Sequence, residues 1–424
     1  MFNEFFSDLA VSDCTFTGNS TQNGFGGDGG GMGNSLSSPT VTNCSFSGNS
    51  ASGHGGGMNN DCDSGPTVTH CTFSGNSAGN DGGGMNNVDG SDPTVTHCAF
   101  SGNSAIGSFG RGGGMYNEDS SPTVTDCTFR GNSALGNSGG GMYNEYGDPT
   151  ITDCTFTANM AEFGGGMSNS GRGATVRNCT FNGNWAIHGG GGMNNGGSPV
   201  VINCMFIGNW TRFAGGGGME NVGGFPWVIN CTFTENAGGS GDGSAMHNRS
   251  SNPTVTNSIF WDNVSPQIDN SSSSPTITYS NVQGGYEGVG NMDIDPLFAL
   301  GPGGCFYLSR ASAGQAIDSP CIDVGSDTVA NLGLSTLTTR TDEATDTGIV
   351  DLGYHYPVTG LALLMGDYDH NRLVNLADFA GLQNCLSGSG AADLSPCCRI
   401  FDFESDDDVD LDDYAAFEAA MSSR

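Results

Sequence analysis

The sequence predicts an all-β chain: a parallel β-solenoid of about ten coils, followed by a small α module of two loop-helix repeats. Three observations predict it. A unit of about 27 residues recurs over two thirds of the chain, with Cys, Phe, Asn and Met each returning at a fixed place. Glycine makes up 72 of 424 residues, and no unit holds a Gly-free amphipathic stretch of helix length. Beyond Pro357 the character changes, and two acidic segments match at a constant offset of 35 residues.

One unit reads PTVTNCSFSGNSASGHGGGMNN from Pro39, and successive units start 25 to 29 residues apart. Four columns run through them. One is Cys14, Cys44, Cys71 and onward to Cys231, then Ser258. Two residues on comes Phe, from Phe16 to Phe260, and three further comes Asn, from Asn19 to Asn263. After a variable loop and a Gly run stands Met, from Met32 to Met246, with an Asn two places later. Residues two apart face the same way on a strand, so Cys with Phe, and Met with its Asn, point inward. A single unit cannot close a core, but copies stacked at ~4.8 Å bury like on like. A buried Asn column is then satisfied by amides bonding to the amides above and below. The residue before Cys is Asn, His or Asp, the types that best tolerate a left-handed backbone, so it reads as a tight bend. The histidines there need no metal to explain them. Calcium-binding nonapeptide repeats would also give 27, but they demand a sub-period of nine, and Cys, Phe and Met occur once per unit.

Charge excludes several functions. The chain carries a formal charge of −33, and all 11 basic residues are Arg. With no basic cluster it offers nothing for phosphate backbones or anionic lipid. No apolar stretch is long enough for a membrane span. Met1 to Ala10 lacks the basic start and apolar run of an export signal, and strand-like sequence begins at once, so the start is expected to be incomplete.

Of 15 cysteines, nine form the column. Parallel strands hold their Cβ atoms ~4.8 Å apart, beyond disulfide reach, so the column reads as small buried apolar residues and not as bridges or zinc ligands. Off the column, Cys305 with Cys321, and Cys385 with Cys397 or Cys398, stand in loop-rich sequence where bridges can form.

The units resemble the right-handed parallel β-helix, pectate-lyase-like class. They are similar in particular to bacterial surface repeats of the polymorphic outer-membrane-protein type, through FSGN at Phe46 and GGGM at Gly55. The segment from Tyr279, with SPCIDVG and VDLGYHY, resembles the closing coils of extracellular β-helix proteins. The expected domains are therefore 1–357 for the β-helix with its closing segment, 358–365 for a linker and 366–424 for the C-terminal module.

In that module Asp367, Asp369, Asn371, Asn375 and Asp378 match Asp402, Glu404, Asp406, Asp410 and Asp413, with Leu373 and Asp408 at the seventh place of each loop. Oxygen-bearing side chains at places 1, 3, 5, 9 and 12, followed by an amphipathic helix, make a calcium loop of the EF-hand type. Calcium is hard and takes six or more oxygens, which is why carboxylates crowd here. Residues 366–424 hold 13 acids and 3 Arg, so the loops repel themselves without a cation. The module resembles a type I dockerin, which implies bound Ca2+ and a cohesin-like partner. The sixth loop place, Gly in that family, is Arg372 and Asp407 here. The resemblance would place partner-reading residues at Leu376, Ala377, Leu411 and Asp412.

Catalysis finds little support in the sequence. The lyases and polygalacturonases of this fold class use carboxylate clusters with a basic residue, and Lys is absent. Gly53-His54-Gly55 lacks the companion motifs of the hydrolases it is similar to. The candidate ligand surface is the outward row between Met and Asn, where Tyr116, Tyr143, Glu220 and His247 interrupt the pattern. Trp185 and Trp210 take the same place in successive coils and would stack as a platform for sugar rings. The expectation is a secreted or cell-surface non-catalytic scaffold that can take polysaccharide, tethered through its calcium module. The competing reading is a polysaccharide lyase or glycoside hydrolase delivered by the same module.

Overall fold

Each Thr-Val-Thr run forms a three-residue strand, as at Thr67–Thr69, with its threonines outward and Val68 fully buried. β-branched residues suit this pleated, one-sided surface. The next residue bends the chain: φ is 53° at Asn43, His70 and His97 and 51° at Asp126. The Cys-x-Phe segment then supplies a second strand, Thr72–Ser74 in that coil, and a short third follows at Ser77–Ala78. The Gly run leads into the Met strand, here Met85–Asn87. Glycine is required in that run because a Cβ on Gly57 would lie 2.5 Å from the Gly84 carbonyl oxygen and 2.9 Å from the Phe73 ring.

In the computed structural model, the described residues are 1–22, 28–171, 173–239, 241–264, 266–360, 364–368, 373–386, 397–403 and 408–422. They form two units, Met1–Asp293 and Ile294–Arg424. In the first, three sheets of eleven strands and one of eight run along the stack. Neighbouring strands are parallel and in register, with Phe73 opposite Phe46 and Phe100, and Met85 opposite Met58 and Met115. The expected count of about ten coils is slightly off. Among the described residues the fourth side pairs in about nine coils, the last through a bridge from Trp210 to Ala237, because the end coils lose that side.

The phenylalanines from Phe16 to Phe260 make one stack, with centroids 4.5 to 4.8 Å apart and rings within 5° of parallel. The Asn ladder beside it leaves no amide wanting. Asn132 Nδ2 donates to Asn159 Oδ1 and to the Phe100 carbonyl, both at 2.9 Å, while its Oδ1 accepts from the Asn103 backbone N–H at 3.0 Å. A second ladder runs from Asn3 beneath the Met strands and ends where Asn270 Nδ2 donates to the Tyr286 hydroxyl at 3.0 Å. Polar groups so paired are held in the interior without the cost of lost hydration.

The cysteine column does more than fill space. Cys44 N–H donates to Cys71 Sγ at 3.3 Å, and Cys71 Sγ lies 3.3 Å from the Thr69 carbonyl, so this thiol accepts from one coil and donates within its own, and the pattern repeats at Cys98, Cys127 and Cys231. Ser258 and Ser280 continue the same chain of bonds, at 3.2 and 3.1 Å. Hydrogen bonding to the next cysteine, with burial, pushes the thiols of Cys98 and Cys127 up to about 12.

The second unit is built differently. An antiparallel hairpin, Phe298–Gly301 with Gly304–Leu308, precedes the α-helices α1 (Val329–Leu332), α2 (Leu376–Cys385) and α3 (Leu411–Ser422). Residues 294–357 thus fall in the same unit as the C-terminal module. Leu382, Ile400, Phe401, Val409 and Phe417 make its core, and Leu300 packs against them. Two disulfides tie it, Cys305–Cys397 and Cys385–Cys398. The Cys305–Cys321 pairing is therefore corrected: Cys321 is buried outside both bridges, and Cys305 reaches a cysteine 92 residues away. The Cys385–Cys398 pairing matches one of the two expected alternatives.

Candidate functional site

The Met-x-Asn row was expected to point to solvent, and the loops ahead of the Gly runs close over it. Tyr116 and Tyr143 stack with centroids 5.6 Å apart but are only 2% and 7% exposed. Arg111 covers both rings at 5.5 and 5.4 Å, and its guanidinium is paired with Glu145. The Tyr116 hydroxyl donates to Glu118 at 3.0 Å, and burial raises the phenol above its ordinary value. The tyrosine pair is thus part of a sealed network and not a surface platform.

Further along the same row Glu220 and His247 lie opposite each other in adjacent strands, with Asp269 next in register. His247 Nδ1 is 3.6 Å from Glu220 Oε1, and its Nε2 is 3.4 Å from Asp269 Oδ2. The Glu220 carboxylate, against the effect of burial, holds the imidazole above its usual value. Sequence reasoning missed Asp269. Ile268 takes the place of Met there, so the Met column ended one coil too early.

The tryptophans do meet. Trp185 pairs with Trp210 in successive strands, with ring centroids 5.3 Å apart and a 34° tilt, and Trp210 is 44% exposed. Beside them Phe163, His188 and Phe213 form a second aromatic row, with centroids 5.5 and 5.8 Å apart. Phe213 is exposed and carries Arg212 over its ring at 5.0 Å. A stripe of partly exposed aromatic side chains on one side of the solenoid offers apolar surface to a ligand.

A family model of the right-handed β-helix region matches residues 6–156 and 115–283. The chain belongs to this family. No curated protein matches it. In the β-helix, a pocket of about 280 Å³ also lies among Asp28, His54, Asn59, Asp61, Asn86 and Glu118. His54 Nδ1 is 3.4 Å from Asp81, whose carboxylate holds the imidazole above its usual value.

Beyond the β-helix, the residues expected to bind calcium fall in two equivalent settings. Asp378 accepts backbone N–H bonds from Tyr368 and Asn375, each at 2.8 Å. Asp413 accepts from Phe403 and Asp410, at 2.7 and 2.9 Å. The offset of 35 residues is thus preserved bond for bond, and each carboxylate reaches back to the residue before its helix, α2 or α3. Asp367, Asp402 and Asp408 are buried, and oxygens of Asp408, Asp410 and Asp413 lie within 4.8 Å of one another. Leu373 is exposed, and its carbonyl accepts from Asn375 Nδ2 at 3.1 Å. Asp369, Asn371, Glu404 and Asp406 lie outside the described residues. The donors that are described carry only oxygen, which fits a hard cation such as calcium.

Proposed function

We propose that this β-helix is an extracellular or cell-surface scaffold that binds polysaccharide without cleaving it, and that its C-terminal module anchors it through calcium. The observation that carries the binding reading is the paired Trp185–Trp210 stack with Phe213 beside it, partly open to solvent on a rigid wall. Such rings take the apolar faces of sugars, while the acidic surface turns away nucleic acid. Among the described residues no helix is long and apolar enough to cross a membrane.

The anchoring reading rests on the duplicated loops and their resemblance to a type I dockerin. Asp367, Asp378, Asp402, Asp408, Asp410 and Asp413 would hold the ions, with Asn375 and the Leu373 carbonyl, and a cohesin-like protein would be the partner. The bound ions would neutralise carboxylates that otherwise repel. Calorimetry should record uptake of two calcium ions, and a chelator should loosen the module while the β-rich circular dichroism persists. No calcium uptake would remove this reading.

The binding reading is tested by titrating tryptophan fluorescence with a panel of neutral and acidic polysaccharides. We expect saturable quenching that Trp210→Ala weakens about two- to tenfold, since a stacked aromatic contact contributes ~0.5–1.5 kcal/mol beyond area burial. Quenching unchanged in that variant would sink it. A second reading, lyase or hydrolase, draws on the buried Glu220–His247 pair. It predicts new unsaturated or reducing ends in the same mixtures, lost in Glu220→Gln.

A further inference from the structure

Three successive coils bring Glu220, His247 and Asp269 into line, and the loop ahead of Met246 adds Asp242. Ligand atoms from Asp242, His247 and Asp269 all lie within 4.8 Å of one another. Two further observations show that this is more than a patch of acid. His247 is 6% exposed, and neither ring nitrogen has a hydrogen-bond partner. Glu220 is 4% exposed, and its Oε2 is likewise buried without one. Room for that carboxylate exists only because two neighbours are glycines. A Cβ on Gly189 would fall 1.5 Å from Glu220 Oε2, and one on Gly215 would fall 2.0 Å from it. Asp242 is itself set in place, its Oδ2 accepting the Gly215 N–H at 2.7 Å. The Arg249 guanidinium is 3.8 Å from Glu220 and mostly exposed. Three carboxylates therefore surround one imidazole, and an excess of negative charge around buried groups costs free energy that a bound cation would relieve.

We propose that Asp242, His247 and Asp269 bind a divalent transition-metal ion of the zinc type, with Glu220 orienting the ring. The chemistry of the donors selects the ion: an imidazole with two carboxylates suits zinc-like ions, whereas calcium takes oxygen alone. The spacing agrees. Ligand bonds of ~2.0–2.1 Å in a tetrahedron put donors ~3.3 Å apart. His247 Nε2 and Asp269 Oδ2 are 3.4 Å apart. Glu220 faces Nδ1, the nitrogen left over, and so serves as the carboxylate that fixes ring orientation from behind. Three protein ligands leave a fourth position open for water or a ligand oxygen. This site is independent of the aromatic stripe, so the two proposals stand or fall separately.

The test is calorimetric titration of the full chain with zinc chloride, with calcium in excess to occupy the all-oxygen loops. We expect a single zinc ion to bind. His247→Ala should abolish uptake, Asp269→Asn should weaken it at least tenfold, and Glu220→Gln should weaken it ~10–100-fold, as loss of an orienting partner does. Trp210→Ala should leave it unchanged. No zinc uptake, or uptake equal in the parent and in Asp269→Asn, would overturn the proposal. Asp269 decides the matter should His247→Ala fail to fold, because its side chain is 37% exposed and its replacement leaves the core intact.

Discussion

The two units of this chain solve the same problem in opposite ways. Residues 1–293 gain their stability by repetition. Valine, cysteine, phenylalanine, asparagine and methionine each meet their own kind in the next coil, and no disulfide falls there among the described residues. Residues 294–424 have no column to repeat. They close a small core around Leu382, Phe401 and Phe417 and hold it with two disulfides and with backbone bonds to buried carboxylates. A stacked array spreads stability over nearest-neighbour interfaces, whereas a small module needs staples.

The largest effect that would break this contrast is expected inside the Phe stack. Phe129 is fully buried between Phe100 and Phe156, so Phe129→Ala should cost ~3–5 kcal/mol in denaturant unfolding. Calcium uptake by the second unit should survive it. Reduction is the converse: opening Cys305–Cys397 and Cys385–Cys398 should cost the second unit ~2–5 kcal/mol and leave the β-rich signal in place. A β-helix that melts on reduction would contradict the division.

Smaller effects sharpen the role of the cysteine column. Cys127 Sγ accepts the Cys98 N–H at 3.4 Å, so Cys127→Ala leaves a buried donor unpaired, at ~1–3 kcal/mol. Cys127→Ser keeps an acceptor and should cost less. Equal costs would reduce the column to packing alone. The last effect is with pH. The folded thiols of Cys98 and Cys127 titrate near 12, against 9.0 for a free thiol, so the folded state retains protons that the unfolded chain releases. Stability from these groups is whole below pH 9 and is lost as pH rises from there toward 12. A melting temperature that held steady across that window would contradict it.

The β-helix was legible because its period places every residue type at a fixed angle, and the bend before Cys, the Asn ladder and the Phe stack all follow from that. The column formed by Val41, Val68 and Val95 follows equally from the period, but valine is common in any strand and does not mark the column out. The hydrogen-bonding role of cysteine had a sequence signal in Ser258, a residue that shares the thiol's bonds but not its apolar character. What could not be read is what the period does not govern. The loops that roof Tyr116 and Tyr143 differ in length from unit to unit, so nothing in the repeat says where they fold. Cys305 finds Cys397 across 92 residues, with no local pattern to join them. Asp242 lies in such a loop, which is why the cluster around His247 emerges only in three dimensions.

The most direct test of the stacking is diffraction from crystals of the chain. Phe129 and Phe156 should sit one coil apart, with centroids 4.8 Å from each other and rings 4° from parallel. Rings set apart by more than a coil, or turned to solvent, would contradict it.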